Sequence, residues 1–221
     1  MTTLIFDLDG TLIDSAPDIH AASNTVLVEE GLAPMTLAEV RSFIGRGVPH
    51  LVACLLTAAG QDPEGPRHAR LVARFTEIYE DAVGLTVPYP GVVAALEALA
   101  AQGHRLGICT NKPLVPAQAV LRHLDLARFF TVVKGGDSHP LKKPDPTPLL
   151  ATLEALGGGP ALYIGDSEVD AECARRAGLT FLLFTEGYRK APVETLPHAA
   201  TFRDFAELPA LVARMLAPAA G

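Results

Sequence analysis

The sequence predicts an α/β protein in which a doubly wound, Rossmann-like parallel sheet carries an all-helical insertion. A short apolar run over residues 4–6 leads directly into acidic residues and is typical of a strand buried on both faces. From residue 92 to residue 184, helical and strand patterns alternate, as they do in βαβ units. Between these two parts, residues 15–85 carry only helical patterns. The strands should therefore form one parallel sheet, interrupted in sequence after its first strand.

The elements can be placed in order along the chain. In the insertion, one helix begins at Ser15-Ala16-Pro17-Asp18, another at the capping box of Thr36 and Glu39, and a third amphipathic stretch runs over 66–83. After the turn at 88–91, the pattern predicts helices over 92–102, 116–124, 146–156 and 168–177, and strands over 105–109, 131–133, 161–164 and 181–184. We expect a catalytic core of residues 1–14 and 86–221, a helical cap domain of residues 15–85, and a chain that frays beyond Pro218.

Composition limits the functional classes. The chain has 221 residues, 49% of them hydrophobic, and 25 acidic against 18 basic residues give a net charge of −7. Disordered and fibrous classes are excluded, and the acidic balance argues against nucleic acid or a membrane surface as a partner. The apolar stretch over 2–6 is too short for a membrane span, so we expect a cytoplasmic protein, a monomer or a homodimer. Cys54, Cys109 and Cys173 have no metal-ligand or disulfide spacing and are predicted to be core residues.

Polar side chains follow four of the predicted strands. They stand in Asp7-x-Asp9-Gly10-Thr11, Thr110-Asn111, Lys142-Lys143-Pro144 and Gly165-Asp166-Ser167. Because ligands of open parallel sheets bind at the carboxyl ends of the strands, we expect these four segments to meet. Together they suit one anionic substrate and one cation.

The acidic residues predict a metal site. Asp7 and Asp9 are two residues apart on extended chain, so both can face the same side. Two such carboxylates persist together when a cation neutralises one or a proton sits on the other. Asp166 supplies a third oxygen donor at another strand end. This small set of hard ligands favours Mg²⁺.

The same residues suit phosphoryl transfer. Asp7 as a nucleophile would form an acyl phosphate that water can cleave, and Asp9 could protonate the leaving oxygen and then activate the water. Lys143 would place a fixed positive charge on the transferring oxygens, while Thr110 and Asn111 would add hydrogen bonds to the phosphate.

These segments resemble the four motifs of the haloacid dehalogenase-like phosphohydrolase superfamily, in the expected order. The motifs are Asp7-Leu8-Asp9-Gly10-Thr11-Leu12-Ile13-Asp14-Ser15, Thr110-Asn111-Lys112, Lys143-Pro144-x-Pro146 and Gly165-Asp166-Ser167-x-x-Asp170. Gly135-Gly136-Asp137 ahead of Lys142 resembles the phosphoglycolate phosphatase branch. The resemblance implies a small phosphorylated substrate, 2-phosphoglycolate, with Asp7 as nucleophile, Asp9 as acid and base, and Thr110 and Lys143 binding phosphate. It also implies Mg²⁺ held by Asp7, Asp166 and the backbone carbonyl of Asp9.

Several residues have two interpretations. Asp170 fits a capping box with Ser167 equally well as a support for the metal site, and Asp14 and Ser15 are interpreted first as the start of a helix. Arg46 either belongs to a turn between two helices or binds a substrate carboxylate with its forked guanidinium. Lys142 is expected on the surface.

Two other functions stay open. A sugar phosphomutase would use the same pair of aspartates but would protect the phosphoenzyme from water. A catalytically silent binding module could share the fold. Phosphate release with and without magnesium would distinguish the silent module from an enzyme.

Overall fold

The computed structural model of the protein describes residues 2–217 and contains the predicted parallel sheet. Its strands are β1 (Thr3–Phe6), β4 (Arg105–Cys109), β5 (Val132–Lys134), β6 (Ala161–Gly165), β7 (Thr180–Phe184) and β8 (Ala200–Phe202), and a separate pair is formed by β2 (Ile13–Asp14) and β3 (Val87–Pro88). The sheet order is β5-β4-β1-β6-β7-β8, and all its neighbouring strands are parallel. The α/β fold class is therefore confirmed.

Helices cover both faces of the sheet. After the insertion they are α5 (Val92–Ala101), α6 (Leu114–His123), α7 (Thr147–Ala155), α8 (Glu168–Ala177) and α9 (Leu208–Leu216). Side chains of β1 alternate between the two faces: Leu4 and Phe6 join the cluster under α5, α6 and α9, whereas Ile5 joins the cluster under α7 and α8. This two-sided burial explains why β1 is apolar at every position.

Strand β1 lies at the point where the order of the sheet reverses. Its register joins Phe6 to Ile108 of β4 on one side and to Ile164 of β6 on the other. The chain therefore leaves β1, β4 and β6 at one edge, next to each other. Such a switch point is the usual ligand site of an open α/β sheet.

The insertion contains four helices around a hydrophobic cluster of its own. They are α1 (Ala16–Glu29), α2 (Leu37–Phe43), α3 (Val48–Ala58) and α4 (Pro66–Tyr79). Leu27, Leu55 and Phe75 are fully buried among them. The two chain connections to the sheet run side by side as the antiparallel β2–β3 pair, in which Asp14 faces Val87. The division into a core and a cap domain at residues 15–85 stays a prediction.

Some elements differ from the sequence-based expectation. The predictions did not include β2, β3 or β8, because strands of two or three residues are too short to show a period. Helix α9 was also missed, although Pro209 in its first turn and Pro218 after its end are ordinary boundary signals. The expected fraying beyond Pro218 lies outside the described residues.

The structure also shows how far each cysteine is buried and how long its helices are. Cys109 and Cys173 are buried as expected, but the placement of Cys54 in the core was wrong. Cys54 is half-buried, with its Sγ 3.5 Å from Nε2 of His50, because its helix face borders the surface of the insertion. None of the described helices is long and apolar enough to span a membrane.

Candidate active site

The four polar segments come together beside the carboxyl ends of β1, β4 and β6, and two of them also line a pocket there. Asp7 follows β1, Thr110 follows β4, Asp166 follows β6, and Lys143 comes from the loop after β5. The pocket is lined by Asp7, Asp9, Thr110, Asn111, Lys112 and Pro113 from the sheet side, and by Ile19, Ile44, Gly45, Gly47, Val48, Leu51, Phe75 and Tyr79 from the insertion. Charged groups thus lie on one side and mainly apolar groups on the other.

Lys143 lies at the centre of the charged residues at these strand ends. Its Nζ donates to Oδ1 of Asp7 at 2.7 Å, to Oδ1 of Asp170 at 2.7 Å and to the hydroxyl of Tyr163 at 2.8 Å. The side chain is only 2% exposed. Burial lowers the pKa of Lys143, but the two carboxylates outweigh burial and hold that pKa above its ordinary value. The ammonium is therefore charged and fully hydrogen-bonded.

Three buried carboxylates form a group around this lysine. Asp7, Asp166 and Asp170 each place a carboxylate oxygen within 4.8 Å of the others. Burial raises the pKa of Asp7 to about 7, against the attraction of Lys143, and raises that of Asp166 well above its ordinary value. Burial acts on Asp170 too, but Lys143 and hydrogen bonds bring the pKa of Asp170 below its ordinary value. One ammonium does not balance three carboxylates, and the hard oxygen donors suit a divalent cation such as Mg²⁺.

Asp166 is held by the segments on either side of it. Its Oδ1 accepts from the Thr11 hydroxyl at 2.8 Å, and its Oδ2 accepts from the backbone N–H of Tyr188 at 2.6 Å. Gly10 adopts a φ of +88°, and a Cβ there would lie 2.6 Å from Oδ2 of Asp166. A glycine is needed at this position because both the backbone conformation and the space exclude a side chain.

Asp9 faces the pocket apart from the three grouped carboxylates. Its Oδ1 accepts from Oγ of Ser15 at 2.6 Å and from Nζ of Lys112 at 3.2 Å. Ser15 does occupy the residue before α1, as the helix-start interpretation requires, but its hydroxyl makes no capping bond. Instead, the Tyr188 hydroxyl accepts from the backbone N–H groups of Ser15 and Ala16, at 2.8 and 3.0 Å. This leaves the serine hydroxyl available to orient Asp9.

Asp14 takes part in the same helix start. Its Oδ1 accepts hydrogen bonds from the Tyr188 hydroxyl at 2.7 Å and from the backbone N–H of Ala16 at 3.3 Å. Tyr188 therefore joins the first turn of α1 to the loop that also holds Asp166.

The predicted phosphate binders lie beside Asp7. Thr110 is buried, and its Oγ1 accepts from the backbone N–H of Lys112 at 3.2 Å. The Asn111 amide connects two loops: Nδ2 donates to the carbonyls of Lys143 and Gly45, both at 3.0 Å, and Oδ1 accepts from the backbone N–H of Lys143 at 3.0 Å. Asn111 therefore positions Lys143 and the loop of the insertion. Its contact with phosphate stays a prediction.

Asp170 combines the two interpretations of the sequence. Its Oδ2 accepts from the backbone N–H of Ser167 at 3.2 Å and from the Ser167 hydroxyl at 2.6 Å, at the start of α8. Its Oδ1 accepts from Lys143 and from Tyr163. The Asp170 side chain thus stabilises the start of α8 and also pairs with Lys143. Its role beside a metal stays a prediction.

Lys142 lies differently from the expectation, whereas Arg46 lies in the turn between α2 and α3, as one of its two interpretations requires. Lys142 is half-buried rather than on the open surface, because its side chain lies against Gly47 of the insertion. A Cβ added at Gly47 would be only 3.4 Å from Nζ of Lys142. Arg46 is exposed and is not among the residues that line the pocket. Its contact with a substrate carboxylate stays a prediction.

The sequence analysis assigned no role to three residues of the site. Lys112, Tyr163 and Tyr188 are buried and contact the acidic residues described above. Lys112 stands directly after Thr110-Asn111, so its place at a strand end was an available signal. The two tyrosines had no comparable signal, because an aromatic residue within or after a strand is most often part of the core.

Comparison with known proteins gives a consistent result. The chain is 53% identical to a phosphoglycolate phosphatase of Rhodobacter capsulatus over 209 residues, 95% of either chain. It is also 53% identical to one of Cereibacter sphaeroides over 218 residues, 98% of this chain and 100% of the relative. The crystal structure of a predicted phosphoglycolate phosphatase from Haemophilus somnus matches with a TM-score of 0.89 at 30% identity, covering 96% of this chain and 98% of that one. A family model described as haloacid dehalogenase-like hydrolase matches residues 4–184. The chain therefore belongs to the haloacid dehalogenase-like hydrolase family.

Proposed function

We propose that the protein is a magnesium-dependent phosphatase that hydrolyses 2-phosphoglycolate through a phosphoaspartate intermediate. The observation that carries the proposal is the position of Asp7: it lies in the pocket, directly after β1, with Lys143 2.7 Å from its Oδ1. The curated relatives that match nearly the whole chain are phosphoglycolate phosphatases. The substrate is thus a small phosphorylated metabolite carrying a carboxylate.

In the first step, Asp7 attacks the phosphorus. Lys143 contacts Oδ1, which leaves Oδ2 as the attacking oxygen. The bond from phosphorus to the glycolate oxygen breaks, and Asp9 gives that oxygen a proton. The positive charge of Lys143, next to Asp7, and a hydrogen bond from Thr110 stabilise the charge on the phosphoryl oxygens. The products of this step are glycolate and the phosphorylated aspartate.

In the second step, water attacks the phosphoaspartate. Asp9, now deprotonated, takes a proton from the water, and the Asp7 carboxylate leaves the phosphorus as inorganic phosphate forms. The hydrogen bond from Ser15 holds the Asp9 carboxylate in the pocket through both steps. The same acid and base thus serves both half-reactions.

Asp7, Asp166 and the backbone carbonyl of Asp9 would hold the Mg²⁺, with Asp170 supporting them through Lys143. When bound, the ion neutralises charge on the carboxylates and on the phosphoryl oxygens. The raised pKa values of Asp7 and Asp166 support this assignment, because burial disfavours both negative charges and a bound cation would offset that cost. A cytoplasmic location, and a monomeric or homodimeric state, also belong to this proposal.

The test is phosphate release from a panel of phosphorylated metabolites, with and without Mg²⁺, compared by kcat/KM. We expect 2-phosphoglycolate to be preferred and Asp7→Asn to abolish release, because an amide is a poor nucleophile. Release by Asp7→Asn within about tenfold of the native rate would refute the role of Asp7. Conversion of one sugar phosphate into another without net phosphate release would identify a phosphomutase, and no turnover of any substrate would identify a binding module.

A further inference from the structure

Lys112 is a buried cation that none of the steps above uses. Its side chain is 3% exposed, and the residue lines the pocket beside Asp7 and Asp9. A buried ammonium is stable only where oxygen atoms or aromatic faces replace its water. The partners of Lys112 therefore indicate what the position is suited to bind.

The Lys112 ammonium lies between Asp9, on the sheet side of the pocket, and the insertion. Nζ donates to Oδ1 of Asp9 at 3.2 Å and to the hydroxyl of Tyr79 at the end of α4. It also lies 4.0 Å from the centroid of the Tyr79 ring. An ammonium has three N–H donors, and Asp9 and the Tyr79 hydroxyl are its two hydrogen-bond acceptors among the described residues, so Lys112 has the capacity for a third hydrogen bond.

The other basic groups near the pocket are less suitable as hydrogen-bond donors to a substrate carboxylate. The three donors of Lys143 are occupied by Asp7, Asp170 and Tyr163. Arg46 is exposed and outside the lining. On the insertion side, the pocket near Lys112 is closed mainly by apolar groups such as Phe75 and Leu51. A substrate carboxylate in this enclosure requires a buried cation, and Lys112 is the cation that lines the pocket.

We propose that Lys112 binds the carboxylate of the substrate and so determines specificity, an inference that rests on the proposed function. In 2-phosphoglycolate a single methylene separates the leaving oxygen from the carboxyl carbon. Asp9, which protonates the leaving oxygen, lies 3.2 Å from Nζ of Lys112. One short substrate can therefore contact both residues at once. The substrate class is a phosphate ester of a 2-hydroxy acid.

The experiment compares two substrates that differ in the carboxylate, 2-phosphoglycolate and 2-hydroxyethyl phosphate. The readout is the ratio of their kcat/KM values, because loss of Lys112 also removes a partner of Asp9 and can slow both reactions. We expect Lys112→Met to lower this ratio about 10- to 100-fold, the effect of losing a charge-assisted hydrogen bond. Lys112→Gln keeps a hydrogen-bonding group toward Asp9 and gives the same test if the methionine variant does not fold.

The matched control is Lys142→Met, which removes the same charge from a half-buried lysine outside the pocket lining. Its ratio should stay within about twofold of the native one. An unchanged ratio in the folded Lys112 variants would overturn the inference, as would a fall in the ratio for Arg46→Ala and not for Lys112→Met. Native protein that does not hydrolyse 2-phosphoglycolate would instead refute the proposed function, so the two failures are distinguishable.

Discussion

Replacing Lys143 by methionine should destabilise the protein strongly and in a pH-dependent way. The substitution keeps most of the side-chain volume but removes the ammonium that donates to Asp7, Asp170 and Tyr163. Asp7 and Asp170 are 7% and 1% exposed, so water cannot replace the lost charge. Two buried carboxylates would then remain together without their cation.

The magnitude follows from these contacts. Removing one partner of a buried ion pair costs about 3–5 kcal/mol of unfolding free energy, because the remaining charge stays buried. We expect a loss in this range at about pH 8 in metal-free buffer. Protonation of the carboxylates relieves the loss, so the cost should be smaller at about pH 5.

The direction of the pH dependence follows from the pKa of each group. In the native protein, burial raises the pKa of Asp7 from 3.8 to about 7. The folded state therefore binds the Asp7 proton more tightly than the unfolded state, and this stabilisation is lost as the pH rises from about 4 to about 7. Burial raises the pKa of Asp170, but Lys143 outweighs burial and lowers it below its ordinary value. The Asp170 carboxylate therefore stabilises the folded state at pH values above its unfolded pKa. Without Lys143 both folded pKa values rise. The variant therefore loses more stability than the native protein as the pH increases.

The assay is urea unfolding followed by circular dichroism, at both pH values and with a chelator present. Lys142→Met is the control, because it removes the neighbouring ammonium that has no described bond to these carboxylates. The control should change stability by about 0.5 kcal/mol or less. A loss below about 1 kcal/mol for Lys143→Met at the higher pH, or an equal loss at both pH values, would refute this account of the charged group.

Two further predictions concern the acid and the metal. Asp9→Asn should lower kcat/KM by about 10² to 10⁴, and more for an alkyl phosphate than for nitrophenyl phosphate, whose leaving group needs no proton. Equal losses in steady-state assays of both esters would contradict the acid role. Saturating Mg²⁺ should raise the melting temperature more at about pH 8 than at about pH 5, because protons compete for Asp7, whose pKa burial raises to about 7. Thermal scans that show the same shift at both pH values would exclude Asp7 as a ligand.

Local sequence determined the parallel sheet and the positions of its polar strand ends. The uniformly apolar residues of β1 are sufficient to indicate a strand covered on both faces, and the later alternation of helices and strands requires crossover connections. Because parallel strands end at the same edge, Asp7, Thr110 and Asp166 could be expected together although more than 50 residues separate each from the next. Backbone periodicity and strand direction alone carry this information.

The tertiary structure decided which partner each charged side chain has. Lys142 and Lys143 are adjacent in sequence, yet only Lys143 is enclosed by Asp7, Tyr163 and Asp170, which come from the end of β1, from β6 and from α8. Lys112 is buried because Tyr79 of the insertion closes over it, whereas Arg46 lies outside the pocket. Burial and pairing of a charge depend on loops that are distant in sequence, so no local pattern contains them. The same distant contacts bury Asp7 and so raise its pKa, and they place Lys112 beside Asp9 in the pocket.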